Sequence, residues 1–295
     1  MTERPTLGFI GAGKVGTTLA LLLFARGFII SGIYSRGVDR AEGLARAVGA
    51  KAAASAEELI SSADLTVLTV PDDAIGKIAV ILSHKDLTGK AVVHTSGVHE
   101  AGILDVLAAR GAMVGSLHPI FPFADIEQAV TGLLGAAFGI QVESPLLSDW
   151  LSEIINALDG RTLKIGRGQK ALYHSALVFA SNYGVTLFAI AQHLLTQIGA
   201  ESEVSSLALN TLMAGMVRNL QVMGIPDALT GPLVRGDVGT IDAHMAALQL
   251  VNPILADLYR QLAIQTLLLV TARGLDTGQM ETLLRKKMDD ADNHT

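Results

Sequence analysis

The sequence predicts an α/β domain built on a doubly wound parallel sheet, followed by an all-α helical domain. Short apolar, β-rich runs alternate with helical stretches up to about Ile165. From Gly168 onward the strand pattern disappears and long helical periods replace it. A glycine-rich turn, "GAGKVG" (11–16), joins the first strand pattern to the first helix pattern.

Continuous apolar strands that alternate with helices imply a parallel sheet covered on both faces. The expected strands are 7–10, 30–34, 65–70, 91–95, 113–117, 138–142 and 162–165. Between them, helical spacing predicts helices over 15–26, 40–48, 56–60, 74–82, 103–109 and 146–158. Past the segment "IGRGQ" (165–169), helices are expected over 170–198, 202–223, 239–272 and 277–290, parted by Gly or Pro. Residues 1–166 then form the sheet domain and 167–295 the helical one. The closing "DDADNHT" (289–295) reads as a frayed polar tail.

Composition narrows the function. Half of the 295 residues are hydrophobic and 17 % are charged, the balance of a globular chain with a large core. Aromatics make up only 4 %, so Ala, Leu, Ile and Val must build that core. A net charge of −6 and no basic run interleaved with aromatics argue against nucleic acid as a partner. The absence of cysteine removes disulfides, thiolate catalysis and Cys-ligated zinc together. No signal-peptide pattern opens the chain, which points to the cytoplasm. The most apolar windows, 19–33 and 171–195, are broken by Arg26-Gly27 and by His174, Asn182, Gln192 and His193. Neither gives about 20 clean apolar residues, so both are expected as buried helices and no membrane partner is expected.

In "LGFIGAGKVG", Gly11, Gly13 and Gly16 follow a strand and open a helix, the setting that gives G-x-G-x-x-G its mechanism in the Rossmann fold. Gly11 permits the tight turn, Gly13 lets a pyrophosphate approach the backbone, and Gly16 lets helix pack on strand. Free N–H groups of the segment Ala12, Gly13, Lys14 and Val15 then face the phosphates. Where an NAD site carries Asp or Glu, about 20 residues on, this chain has Ser35 and Arg36. A hydroxyl and a guanidinium suit a 2′-phosphate, so NADP is favoured over NAD. "VPDDAI" (70–75) closes the third of the long strands, with backbone contacts to the dinucleotide expected from Val70 and Pro71. Asp72 or Asp73 is expected to cap the helix that follows.

Two further strand ends carry chemistry. "VVHTSG" presents Thr95 and Ser96, and "GSLHPIFPF" presents His118 before a proline. A hydroxyl and an imidazole at adjacent strand ends could bind and protonate a carbonyl or imine, with Thr95 bordering the nicotinamide. Ser96 equally suits a loop cap, and His118 a hydrogen-bonded structural histidine. The eight histidines show no metal-ligand spacing and no G-x-S-x-G elbow occurs, so neither a metal site nor a hydrolase is expected. In "LTGPLVRGD" (229–237), Arg235 is the candidate clamp for a substrate carboxylate and Asp237 a helix cap; an Arg235–Asp237 salt bridge is the alternative.

These segments carry a resemblance. The first half resembles the Rossmann domains of pyrroline-carboxylate reductases, β-hydroxyacid dehydrogenases and prephenate dehydrogenases. The set "GAGKVG", "HTSG", "SLHPIFPF", "YHSALVFASNY" and "LTGPLVRGD" resembles a family of oxidoreductases that join a Rossmann-like domain to an uncharacterised helical C-terminal domain. That resemblance implies NADP binding, a homodimer and oxidoreductase chemistry, without a substrate. Lys170 and Asn182 resemble the Lys and Asn that β-hydroxyacid dehydrogenases present from the equivalent helix, although there the two lie one turn apart. Kinship of fold suggests ketopantoate as one substrate.

The expected function is hydride transfer between NADP and a small oxo, hydroxy or imino acid, with His118 and His174 as acid/base candidates. A regulatory protein that senses NADP without turnover is the alternative. "KALYHSALVFASNY" (170–183) bears a polar stripe of Lys170, His174, Ser175, Ser181 and Asn182 on an apolar helix. The stripe is either the far wall of the active site, with Ser175 touching substrate, or a hydrogen-bonded seam. The apolar faces of the helical domain exceed what one sheet domain can cover, so a homodimer through that domain is expected.

Overall fold

The computed structural model describes residues 4–292 and divides into two compact units, one up to Thr186 and one from Leu187 onward. The first is an eight-stranded, mostly parallel sheet with helices on both faces. Its strands are β1 (Leu7–Ile10), β2 (Ile30–Tyr34), β3 (Lys51–Ala52), β4 (Leu65–Leu68), β5 (Ala91–His94), β6 (Met113–Pro119), β7 (Ala137–Val142) and β8 (Arg161–Lys164). They lie in the order β3-β2-β1-β4-β5-β6-β7-β8. The order reverses between β1 and β4, which makes a crevice at their carboxyl ends.

Helices α1 (Lys14–Ala25), α2 (Val38–Ala47), α3 (Ala56–Ser62), α4 (Asp72–Leu82), α5 (Asp105–Ala108), α6 (Ile126–Gly132) and α7 (Pro145–Ala157) connect the strands; a 3₁₀ turn over Ala101–Leu104 leads into α5. The strands β1, β4 and β5 are buried on both faces, as their unbroken apolar runs require. Their side chains feed two cores, one built around Phe9, Leu23, Val93 and Trp150, the other around Ile10, Leu59, Ile75 and Val92.

The sheet departs from the expected all-parallel pattern at β7, which runs antiparallel to β6 and pairs His118 with Gly139. The two-residue β3 and the helix α6 lay outside the expected elements. Asp72 and Asp73 fall inside the first turn of α4 rather than at its cap; Pro71 is the capping residue and no side chain caps there. Contrary to the sequence expectation neither carboxylate caps the helix, because Pro71 with ψ 148° already turns the chain into it.

After β8 the chain continues as α8 (Lys170–Ala180) and α9 (Asn182–Gln197), interrupted at Ser181 with φ −108° and ψ −68°. The compact first unit extends through α8. The second unit holds α10 (Ser202–Met223), α11 (Val238–Val251), α12 (Pro253–Ala272) and α13 (Gly278–Asp292). The helix expected over 239–272 is two helices. Asn252 is extended, its Oδ1 accepts the Ile254 N–H at 2.9 Å, and Pro253 starts the next helix. Asp237 caps α11, accepting from the Thr240 N–H at 3.0 Å. The core of this unit gathers Ile241, Met245, Leu267, Val270 and Leu284 from α11, α12 and α13. The expected tail at 289–295 is helical as far as Asp292; residues 293–295 lie outside those described.

The buried-helix expectation holds for α1, whose Leu19, Ala20, Leu22 and Leu23 are buried. It fails for 171–195. Within one chain α9 buries no residue and α8 buries only Lys170, while Leu172 and Phe179 are 78 % and 69 % exposed. Two stretches, Lys170–Gln197 and Pro253–Ala272, are by length and composition apolar enough to cross a membrane. The first contains the break at Ser181, and the second carries Arg260, which is buried and ion-paired with Asp257.

Candidate functional site

At the carboxyl end of β1 the chain turns at Gly11 with φ +116°, a conformation that favours glycine. A side chain there would collide with the Thr69 carbonyl. The Thr69 hydroxyl donates to the Gly11 carbonyl at 2.7 Å, and Gly16 packs so closely on that pair that no Cβ fits. Gly13 is different, since nothing lies within 4 Å of the position a Cβ would take. The start of α1 beside it has no side-chain cap and no acidic residue in its first turn. The helix therefore presents its N–H groups and positive dipole end to open space.

That space is a groove of about 560 Å³, lined among others by Gly11, Ala12, Gly13, Ser35, Arg36, Val70 and Pro71. Three residues that the motifs left out also line it: Tyr34, Arg40 and Lys77. Arg40 folds back over Gly37, its Nε only 2.9 Å from where a Cβ would sit. Arg36, Arg40 and Lys77 give the groove three cations, against the carboxylate of Glu57. An open helix end, a glycine with free space above it and three cations fit a dinucleotide that carries an additional phosphate.

The side chains of Lys14 and Val15 turn away from the groove. The Lys14 ammonium donates to the Ala124 carbonyl at 2.6 Å, and Val15 packs on the core, so only their backbone faces the helix opening. Thr95 lies off the groove lining and donates to the Leu68 carbonyl at 3.3 Å.

One strand further along the sheet, the end of β5 is held by its own buried histidine. His94 accepts the Ser96 N–H on Nδ1 at 3.2 Å, and its Nε2 meets the Glu100 carbonyl at 3.3 Å. Burial, and then the Lys170 ammonium, push its pKa down to about 4, so it stays neutral and structural. The Ser96 hydroxyl accepts the N–H groups of Val98 and His99 at 3.3 and 3.1 Å, which is the loop-cap alternative. Its carbonyl accepts from the Lys170 ammonium at 2.9 Å.

Lys170 is fully buried. Burial drives its pKa from 10.5 down to about 8, with Glu100 and Asp72 pulling the other way. Glu100 also fixes where the lysine starts. Its carboxylate accepts the Lys170 backbone N–H at 3.1 Å and the Gln141 amide at 2.6 Å. Gln141 in turn accepts the Ala101 N–H at 2.6 Å and donates to the Gly166 carbonyl at 3.0 Å. Burial would raise the Glu100 carboxyl, but these donors and the Lys170 ammonium hold it below its ordinary value.

His118, at the end of β6, meets the first turns of α8. Its Nδ1 lies 2.6 Å from the Tyr173 hydroxyl, and the two rings are perpendicular. A Cβ on Gly97 would come within 3.0 Å of His118 Nε2 and 2.7 Å of His174 Nδ1, so both imidazoles converge on that glycine. His174 Nδ1 is buried and has no hydrogen-bond partner among the described residues. Burial, then the charges of Lys170 and His174, hold His118 down to about 4. Burial alone raises the Tyr173 phenol to about 12.

Of the sequence candidates, His118, Ser96, His174 and Lys170 therefore come together. Asn182 does not join them. It is exposed, lies beyond the break at Ser181, and is 12 residues from Lys170, ~18 Å along a helix rising 1.5 Å per residue. Ser175 is exposed and donates back to the Ala171 carbonyl at 2.8 Å. Arg235 is exposed in the second unit. The motifs carry Gly97, in "VVHTSG", without giving it a role in the site, and they give none to Tyr173, Glu100 or Gln141. Lys170, Tyr173 and His174 are spaced i, i+3, i+4, which puts them on one helix face and was available to find Tyr173.

Residues 6–97 match the family model described as NADP oxidoreductase, coenzyme F420-dependent, and residues 136–266 match a domain of unknown function, DUF2520. The chain thus joins an NADP-oxidoreductase-type N-terminal domain to a DUF2520 domain, the pairing that its motifs resemble. No curated protein sequence matches it. Among solved structures it is similar to a candidate NADP oxidoreductase from Bacteroides fragilis, at 25 % identity over 89 % of this chain and 98 % of that one, with a TM-score of 0.68. A pyrroline-5-carboxylate reductase from Coxiella burnetii is similar in fold at 17 % identity, covering 92 % and 97 %, TM-score 0.61. So is an imine reductase from Myxococcus stipitatus in complex with NADP⁺, at 20 % identity, covering 89 % and 94 %, TM-score 0.61.

Proposed function

We propose that the protein is an NADP-dependent reductase or dehydrogenase of a small imino, oxo or hydroxy acid. The observation that carries this reading is the convergence of His118 and His174 on Gly97, next to the Ser96 carbonyl that holds Lys170, one strand along from a groove suited to a phosphorylated dinucleotide. Gly11, Gly13 and the open start of α1 would hold the pyrophosphate, and Ser35, Arg36, Arg40 and Lys77 the 2′-phosphate. Bound there, NADPH would supply a hydride to the substrate, or NADP⁺ would accept one from it.

The remaining work falls to the chain's own groups. Lys170 is the acid/base, because a pKa of about 8 lets it hold or release a proton near neutrality. His118 is neutral at that pH and contributes a hydrogen bond to the reacting oxygen or nitrogen rather than a proton. This narrows the acid/base role expected for it from sequence. His174 Nδ1, lacking a partner, offers a further contact to substrate. The imine reductase and pyrroline-carboxylate reductase folds favour a C=N or C=O group next to a carboxylate as the substrate class.

The reading includes a homodimer. The exposed apolar residues of α8, α9 and α10, among them Leu172, Phe179, Val185, Leu207, Leu212 and Val222, call for a cover, and a second copy supplies one. Sedimentation at micromolar concentration is expected to give a dimer, and a monomer would contradict it. The test of the activity is NADPH oxidation against a panel of cyclic imines and 2-oxo acids. Turnover of one class that vanishes in Lys170→Met supports the reading. NADPH binding without turnover of any of them favours the sensing alternative.

A further inference from the structure

We propose that Tyr173 is a positioning residue: its hydroxyl, in the space left by Gly139, donates to His118 Nδ1 and fixes His118 as the Nε2–H tautomer, with the Nε2–Cε1 edge of the ring against Gly97. The proposal deepens the reading of His118 as a substrate contact and rests on it for its catalytic meaning. Its structural part stands separately.

The direction of the bond follows from counting donors. A neutral phenol has one proton to give and, apart from His118 Nδ1 at 2.6 Å, no other protein partner is recorded for it among the described residues. Were Nδ1 to carry the proton instead, the phenol O–H would be left without an acceptor in a half-buried position, at the cost of an unmade hydrogen bond. With the phenol donating, Nε2 must hold the ring proton. Nε2 and Cε1 lie 3.0 and 3.1 Å from a Cβ built on Gly97, so the ring edge that carries the Nε2 proton faces the glycine.

Gly139 gives an independent observation. It stands opposite His118 in the β6–β7 ladder, and a Cβ on it would lie 2.5 Å from the Tyr173 hydroxyl. It has no positive φ that would demand glycine. The phenol stands nearest to that position, with Ile165 Cδ1 also within 2.9 Å, so a larger residue there would displace the phenol from His118.

The proton states of His118 are readable by ¹⁵N NMR of histidine-labelled protein at pH 7, its signal assigned by loss in His118→Asn. The expected result is a single Nε2–H tautomer in the parent chain and a shift towards Nδ1–H in Tyr173→Phe. Gly139→Ala, which keeps the phenol but displaces it, is expected to give the same shift. Turnover, once a substrate is in hand, should fall by at least ~10-fold in Tyr173→Phe with KM for NADPH unchanged, because the N–H would no longer be presented reliably. An Nδ1–H tautomer in the parent chain overturns the proposal even if neither variant folds, as does an unchanged tautomer in a folded Tyr173→Phe. If the tautomer shifts as expected but no imine or oxo acid is turned over, the functional reading fails and the positioning role stands.

Discussion

Replacing Lys170 by Met should make the protein more stable and inactive at once. The ammonium is fully buried and its pKa falls from 10.5 to about 8, chiefly through burial. At ~1.4 kcal/mol per pH unit, that fall sets a ceiling of about 3 kcal/mol on the cost of keeping the charge inside the folded chain. Met keeps an unbranched chain in the space and removes the charge. It also removes the bond to the Ser96 carbonyl, which gives back about 1 kcal/mol. A net gain of about 2 kcal/mol, or roughly 4–8 °C in Tm, is the expected effect at pH 6.5.

The pH window follows from the sign. Below pH 8 the lysine is protonated folded and unfolded, so the cost is fully present. Between 8 and 10.5 the unfolded chain binds more proton, so the parent protein gains stability as pH rises. The advantage of Lys170→Met should therefore shrink across that window and disappear above it. Urea unfolding of both proteins at pH 6.5, 8 and 10.5 measures the difference. A variant less stable than its parent at pH 6.5, or a difference that does not change up to 10.5, would refute the reasoning.

Three further outcomes can be checked directly. Gly97→Ala should retain the fold, since Gly97 has an ordinary backbone, but lose turnover by ~100-fold or more as the new methyl displaces His118 and His174; unchanged turnover would remove the convergence from the mechanism. Arg36→Ala with Arg40→Ala should weaken NADPH by about 1.5–3 kcal/mol per charge-assisted bond lost and leave NADH nearly as it was, read by fluorescence titration. Gly16→Val should cost more than ~2 kcal/mol in urea unfolding or prevent folding, because the Gly11 carbonyl and the Thr69 hydroxyl occupy the place of its side chain.

Much of the fold is written in periodicity, and the exceptions have physical reasons. The strand 7–10 lies between Thr6 and Gly11, and the observed limits of both 7–10 and 30–34 match the pattern. The reversed direction of β7 has no local signal, because "AFGIQV" would read the same either way. The two-residue β3 is too short for a period to exist. Pro253 did carry a signal: a proline inside a helical stretch, preceded by an extended Asn252, divides 239–272 into two helices.

The site was legible in part for the same reason. Glycine needs at 11 and 16 are set by close approach of backbone to backbone, and the motif encodes them. Lys170 stood out as a charge on an apolar helix, and its burial answers why it is there. Asn182 shared the stripe only on a continuous helix, which Ser181 interrupts. Tyr173 shares a helix face with Lys170 and His174, but an aromatic there reads as core until its hydroxyl is seen against His118. Arg40 and Lys77 reach the groove from the faces of α2 and α4, and only the fold brings those faces to the carboxyl end of β1.

Calorimetric titration of the purified protein with NADPH and with NADH tests the central claim most directly. NADPH is expected to bind with one site per chain and at least ~10-fold more tightly than NADH, the equivalent of one lost phosphate interaction at ~1.4 kcal/mol. Failure to bind either dinucleotide would contradict it.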